Sequence, residues 1–234
     1  PVMPKAIEGI NNKNVFSIRN VTDIARLDSC LRTGQVNQIA VVGGGALGCE
    51  VAENIVLAGK QVTLIEAADQ ILTFFDYDMA QILHKEMLDQ GISLILKDGV
   101  KKIRNDSIEL VSGKIVPAQA VVMAIGIRPE STLAKNAGLE IAENGCIRVN
   151  TNYQTSDPDI YAVGDVIEVF NALTHKPMPL ALAFPAQLEA RAAADHIYGL
   201  QNRQKGFLGS SVLRVFNLIA ACTGLNEKTA KAAD

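Results

Sequence analysis

Ile39-Ala40-Val41-Val42-Gly43-Gly44-Gly45-Ala46-Leu47-Gly48-Cys49-Glu50 is the stretch that decides how this chain folds. Its first four residues are apolar without alternation, the pattern of a strand buried on both faces of a sheet. A glycine-rich turn follows, then a helix over 47–58 that Gly59 stops. Residues 62–65 form the next buried strand.

Working outward, residues 1–20 read as an extended lead-in. Asn20 or Thr22 caps a helix through Arg32, with Val21, Ile24, Leu27 and Leu31 at helical spacing and Gly34 as its stop. A helix over 78–90 is expected to bury Met79, Ile82, Leu83 and Met87, and a third strand covers 93–96. Then the period changes. Short strands at 100–103, 108–110 and 114–116, parted by Asn105-Asp106 and Ser112-Gly113, predict a meander. A buried strand over 120–125 closes the unit, and Gly126-Ile127-Arg128-Pro129 marks a boundary. Beyond it come a hairpin-like piece at 146–150, a buried strand at 160–163, a helix over 183–198, an amphipathic strand at 211–216 and a helix start at Asn226.

Composition narrows the function. Of 234 residues, 48% are hydrophobic and 20% charged, which supports a sizeable globular core. A net charge of −3 with no basic block argues against a nucleic-acid partner. No run reaches the roughly 18 apolar residues of a membrane helix, and the N-terminus lacks a signal-peptide layout. Cys30, Cys49, Cys146 and Cys222 lie far apart with no CxxC pair, which speaks against a disulfide scaffold or zinc site and for a reducing cytosol. His84, His175 and His196 have no metal or triad spacing and read as surface or structural residues.

Gly43, Gly45 and Gly48 match G-x-G-x-x-G between a strand and a helix, and Glu66 ends the next strand 23 positions after Gly43. That context is the dinucleotide fingerprint. Gly43 permits the turn, Gly45 leaves room for a pyrophosphate, and Gly48 lets helix and strand approach. The helix start at Ala46 and Leu47 offers free N–H groups to the phosphates. Glu66 would accept hydrogen bonds from the adenosine ribose and repel a 2′-phosphate, favouring NAD(H) over NADP(H). The plainer readings are a glycine turn that binds nothing and a solvated strand-end acid. Cys49 is read as a small buried residue rather than a reactive thiol.

A second signature, Thr155-Ser156-Asp157-Pro158-Asp159-Ile160-Tyr161-Ala162-Val163-Gly164-Asp165, puts a carboxylate at a strand end, where α/β sheets bind ligands. By itself Asp165 could equally cap a turn. Together with Val15-Phe16-Ser17-Ile18-Arg19, Ala124-Ile125-Gly126-Ile127-Arg128-Pro129, Pro185-Ala186-Gln187 through Arg191, and Phe216 through Glu227, it resembles the FAD-dependent pyridine nucleotide–disulfide oxidoreductases. The branch holding NADH oxidase, NADH peroxidase and coenzyme A-disulfide reductase is the most similar.

The resemblance implies an α/β fold. It comprises a three-layer Rossmann-like NAD(P)-binding domain with a β-meander, plus the second part of a Rossmann-like FAD-binding domain. Residues 1–35 would be a lead-in and helix of the FAD domain, 36–125 the NADH-binding domain, 126–206 the second FAD segment, and 207–234 the start of a dimerisation domain. It implies FAD and NAD(H) as cofactors, a homodimer when full length, and a small-molecule or thiol/disulfide substrate. Glu50 would lie near the nicotinamide, Gly126 beside the NADH and Val100 near the adenine. Gly164 and Asp165 would meet the FAD ribitol. Backbone N–H groups near Leu182 and Ala183 would face the flavin pyrimidine.

The resemblance also places a first FAD segment, with the redox cysteine, upstream of Pro1. Ala46 stands where the family often has an aromatic gate, and Phe184, Leu188 and Ala190 depart from the oxidase branch. Two other functions stay open at this level: a free-standing NAD-binding or redox-sensing module, and a flavin electron-transfer reductase without a redox cysteine.

Overall fold

The computed structural model describes residues 2–201 and 206–233. The outer ends of the expected 1–35 and 207–234 segments, at Pro1 and Asp234, and residues 202–205 of the expected 126–206 segment fall outside them. In chain order the elements are β1 (Val15–Ser17), α1 (Val21–Arg32), β2 (Gln38–Val42), α2 (Ala46–Leu57), β3 (Gln61–Ile65) and α3 (Tyr77–Asp89). There follow β4 (Ser93–Ile95), β5 (Val100–Ile103), β6 (Ser107–Leu110), β7 (Ile115–Pro117), β8 (Ala120–Met123) and α4 (Thr132–Asn136). The last are β9 (Glu168–Phe170), β10 (Pro177–Pro179), α5 (Ala183–Ile197), β11 (Ser211–Val215), β12 (Leu218–Cys222) and α6 (Glu227–Lys231).

Two compact units emerge. The first holds 1–127 with 211–222 and 226–228, and the second holds 128–210 with 223–225 and 229–234. The first is built on a five-stranded, wholly parallel sheet in the order β1-β8-β2-β3-β4. Because successive strand residues face opposite ways, Ile39 and Val41 of β2 pack one face and Ala40 and Val42 the other. On the first face lie Leu27 of α1, Cys49, Ala52 and Ile55 of α2, and Leu83 and Met87 of α3. On the second lie Ile103, Ile108, Leu110 and Val116 of the antiparallel meander β5-β6-β7. Helices, parallel sheet and meander make three layers, and both sheet faces are covered, as the unbroken apolar strands require. Residues 15–17, inside the stretch read as a lead-in, form the edge strand β1 beside β8.

The hairpin β11-β12 joins this unit through a buried acid. Glu53 of α2 is 5% exposed and accepts the Phe216 N–H at 2.8 Å, with Arg214 at 3.6 Å.

The second unit is built mostly of loops around α5 and the small hairpin β9-β10. Its core gathers Ala134, Ile147, Tyr153, Ile167, Val169, Ala192, Ala193 and Phe207.

Two expectations need correction. Met79 and Ile82 are about half exposed, because α3 buries Ala80, Leu83, His84 and Met87 and those two flank that stripe. Residues 160–163 form no strand: among the described residues their ladder contact is a lone bridge from Tyr161 to Gln154. Residues 146–150 belong to a hairpin-like piece centred on 141–147, where Ile147 bridges Ile141 antiparallel and the Ala142 N–H donates to the Cys146 carbonyl at 2.7 Å, but among the described residues the pairing stays at single-residue bridges. Ile147, Val149, Tyr161, Ala162 and Val163 instead gather in the core cluster that also holds Ala192 and Ala193 of α5.

Candidate functional site

The fingerprint turn leaves β2 at its carboxyl end, where β3 and β8 flank it on either side. In an open parallel sheet this reversal of strand order is where a crevice forms. The crevice here has a volume of about 520 Å³, and Gly43, Gly45, Glu66, Val100 and Gly126 all line it, with Asp98 and Gly99 alongside. Ala46, Leu47, Gly48 and Glu50 lie on the first turns of α2 and are not among its lining residues.

The glycines are not equivalent. A Cβ on Gly43 would stand 2.5 Å from the Ala124 carbonyl oxygen, and one on Gly48 only 1.9 Å from the Gly43 oxygen. Both mark close backbone approaches that admit no side chain. A Cβ on Gly45 meets nothing within 4 Å, so the space above it is open for a ligand. Gly45 is the N-cap of α2 and gives no side-chain cap. The N–H groups of Ala46, Leu47 and Gly48 therefore have no intrahelical partner, and no acid in the first turn offsets the helix dipole. A helix start of this kind is suited to an anion, and the residues fit a pyrophosphate.

Glu66 does more than stand at a strand end. Its Oε2 accepts the Gly44 N–H at 2.5 Å and its Oε1 accepts the Ala68 N–H at 2.8 Å. Leu72 N–H donates to the Gly44 carbonyl at 2.7 Å, so Gly44 is held from both sides. A carboxylate has about four lone-pair positions, which leaves acceptor capacity on Glu66 for a diol. The loop carrying Leu72 is held in turn by α3. His84 is 6% exposed, its Nε2 accepts the Ile71 N–H at 3.1 Å, and its Nδ1 lies 3.3 Å from Gln81 Oε1. Burial pushes the His84 pKa down.

His84, read from the sequence as surface or structural, is structural, whereas sequence reasoning missed Asp98. Asp98 accepts from the Gly99 and Ser112 N–H groups and the Ser112 hydroxyl, fixing the turn before Val100, and the Ser112 hydroxyl chiefly lowers its pKa. A bare Asp-Gly pair gave no signal for that role. Cys49 is 1% exposed, and burial, with Glu66 and Glu50 nearby, pushes its thiol up to about 12. It is a packed thiol rather than a nucleophile. Among the described residues no three His, Cys, Asp or Glu side chains cluster to hold a metal, and no helix is long and apolar enough to cross a membrane.

The second unit holds the other expected residues. Gly164 has φ +82° and Asp165 is exposed. Leu182 is the extended N-cap of α5, but its own N–H donates to the Leu180 carbonyl at 3.1 Å. The donors left open at the start of α5 are Ala183 and Phe184, since Pro185 has no N–H.

Comparison with known proteins supplies the context. A model described as pyridine nucleotide-disulphide oxidoreductase matches residues 1–187. An NADH oxidase of Methanocaldococcus jannaschii is 34% identical over 229 residues, covering 96% of this chain and 51% of the relative. The structure of reduced Bacillus anthracis CoADR-RHD superposes with a TM-score of 0.96 at 41% identity, over 99% of this chain and 42% of that one. An NAD-dependent persulfide reductase from A. fulgidus superposes with a TM-score of 0.95 at 31% identity, over 100% and 44%. The chain thus spans about half the length of the relatives it matches. The glycine turn, the three-layer unit and a family match over most of its length together show that the chain belongs to the pyridine nucleotide-disulphide oxidoreductase family.

Proposed function

We propose that this chain is the NADH-binding portion and part of the FAD-binding portion of an NADH-dependent flavoprotein oxidoreductase. The observation that carries the reading is the crevice over β2, which gathers Gly43, Gly45, Glu66, Val100 and Gly126 below an uncapped helix start. Residues 36–125 hold the nucleotide. The N–H groups of Ala46 and Leu47 take the pyrophosphate, Glu66 takes the adenosine ribose, Val100 borders the adenine, and Glu50 and Gly126 lie toward the nicotinamide.

Residues 126–206 contribute to the flavin site, 1–35 belong with it in function, and 207–234 open a dimerisation domain of a homodimer. Gly164 shapes the turn that carries Asp165, whose carboxylate accepts ribitol hydroxyls. The Leu182 cap aims the Ala183 and Phe184 N–H groups at the ring, where donors favour negative charge. Bound FAD would supply the two-electron chemistry that takes hydride from NADH and passes electrons on to a disulfide, peroxide or oxygen. The relatives it matches include one named NADH oxidase and one named NAD-dependent persulfide reductase. None of Cys30, Cys49, Cys146 and Cys222 stands where the resemblance puts the redox cysteine, and Cys49 and Cys146 are buried. Four unpaired cysteines fit a cytoplasmic protein.

The test is an NADH titration of residues 1–234 by nucleotide fluorescence, with a visible spectrum of the full-length protein. Saturable NADH binding and a flavin spectrum are expected. A colourless full-length protein that binds NADH would establish the non-catalytic module instead.

A further inference from the structure

Helix α5 carries a carboxylate with no place in the scheme above. Glu189 has 0% exposure, in a helix whose other buried residues are Pro185, Ala192 and Ala193. Its Oε2 accepts the Gly164 N–H at 2.6 Å, while its Oε1 is buried with no hydrogen-bond partner among the described residues. Burial of a half-satisfied carboxylate is unfavourable, and packing alone would be better met by an apolar side chain. Among the described residues its one bond is to the N–H of Gly164, the residue before Asp165, at φ +82°. The Gly164 carbonyl accepts the Ile167 N–H at 3.1 Å, so Glu189 supplies the hold on the N–H side of that turn.

We propose that Glu189 is a positioning residue of the flavin site, fixing Gly164 so that Asp165 stays set for a polyol hydroxyl. The proposal rests on the reading that Gly164–Asp165 meets the flavin. Geometry gives it a further meaning. Ala183, whose N–H opens toward the ring, and Glu189 stand on the same helix, six residues apart, or about 9 Å at 1.5 Å per residue. One rigid rod thereby sets the distance between the donors offered to the ring and the acceptor offered to its side chain. Burial raises the Glu189 pKa, the Gly164 N–H opposes that rise, and the Asp165 charge adds to it. Tyr153, pushed up to about 12 by burial and then by Glu189, also faces this carboxyl.

The experiment uses the full-length protein and compares Glu189→Met, which keeps the volume and loses the acceptor, with Glu189→Gln, which keeps one. FAD affinity should fall about tenfold or more in the Met variant and return to within about threefold of wild type in the Gln variant. NADH affinity should be unchanged in both. If the Met variant does not fold, Glu189→Asp, which withdraws the acceptor by one methylene, takes its place with the same expected loss. Asp165→Asn separates the two readings. If it weakens FAD binding while Glu189→Met does not, the positioning role is overturned. If neither substitution matters, the flavin assignment of the turn fails with it.

Discussion

At the scale of single residues, the fingerprint separates into positions that fold the turn and positions that leave room for the ligand. Gly48→Ala places a methyl 1.9 Å from a backbone oxygen that cannot yield. Overpacking of this kind costs about 1–3 kcal/mol, or several degrees of melting temperature for a chain of this size. Gly45→Ala meets nothing, so we expect an unchanged melting temperature with NADH affinity lowered about tenfold or more. Thermal melts and nucleotide titrations of both variants check this, and equal melting losses would refute the distinction. Glu66 can be tested by exchange of cofactor. Charge-assisted hydrogen bonds contribute roughly 1.5–3 kcal/mol each, while a 2′-phosphate brings a charge of about −1.5 to −2 against the carboxylate. Wild type should therefore prefer NADH over NADPH by roughly tenfold to several hundredfold. Glu66→Arg should narrow or reverse that ratio, since Arg pairs with phosphate as a bidentate fork. It also releases Gly44 and Ala68, so both affinities fall, and only the ratio reports on specificity. A ratio that does not move would leave Glu66 as a loop fastener alone.

At the scale of elements, α3 and the loop before it behave as one piece through His84. Its Nε2 must stay unprotonated to accept the Ile71 N–H. The unfolded chain takes up its proton near pH 6.5, and burial lowers the folded value. Stability is therefore complete above about pH 6.5 and declines as pH falls toward the folded pKa, at no more than about 1.4 kcal/mol per pH unit from this group. Urea midpoints from pH 7.5 to 5 should show that decline in wild type and a smaller one in His84→Gln, which retains an acceptor. Parallel curves would exclude His84 as the source. The sequence made α1, α2, β2, β3, the meander and α5 legible because each carries its own period and its own stop, such as Gly59 after α2. It left β12 unread: the link between the hairpin strands is Phe216-Asn217 with Phe216 at φ +50°, held by the buried Glu53. No local turn signal announces a conformation imposed by a residue 163 positions away. Residues 160–163 failed the opposite way, since an apolar run of four looks the same whether it joins a ladder or lines a helix.

For the whole molecule, the two units differ in what holds them. The first has a parallel sheet with apolar material on both faces. The second has one three-residue hairpin and scattered single bridges around α5. Opening free energy follows buried contacts and ladder bonds, so amide exchange should be faster over 150–200 than over 36–125, with 160–163 among the fastest. Equal protection in both would show that the second unit draws stability from something outside its ladders. The candidate site divides along the same line. Gly43, Gly45 and Glu66 could be named from the fingerprint because it is local, and Val100 and Gly126 only through the family resemblance, whereas Asp98 and Glu189 could not be named, the latter because its significance lies in a turn 25 positions earlier.

Gly44 is gripped at its N–H by Glu66 and at its carbonyl by Leu72 before any nucleotide arrives. The ordering of that turn is therefore settled when the protein folds and is not charged again to each encounter. A receptor of this kind admits competing nucleotides at similar rates and distinguishes them by how long each one stays.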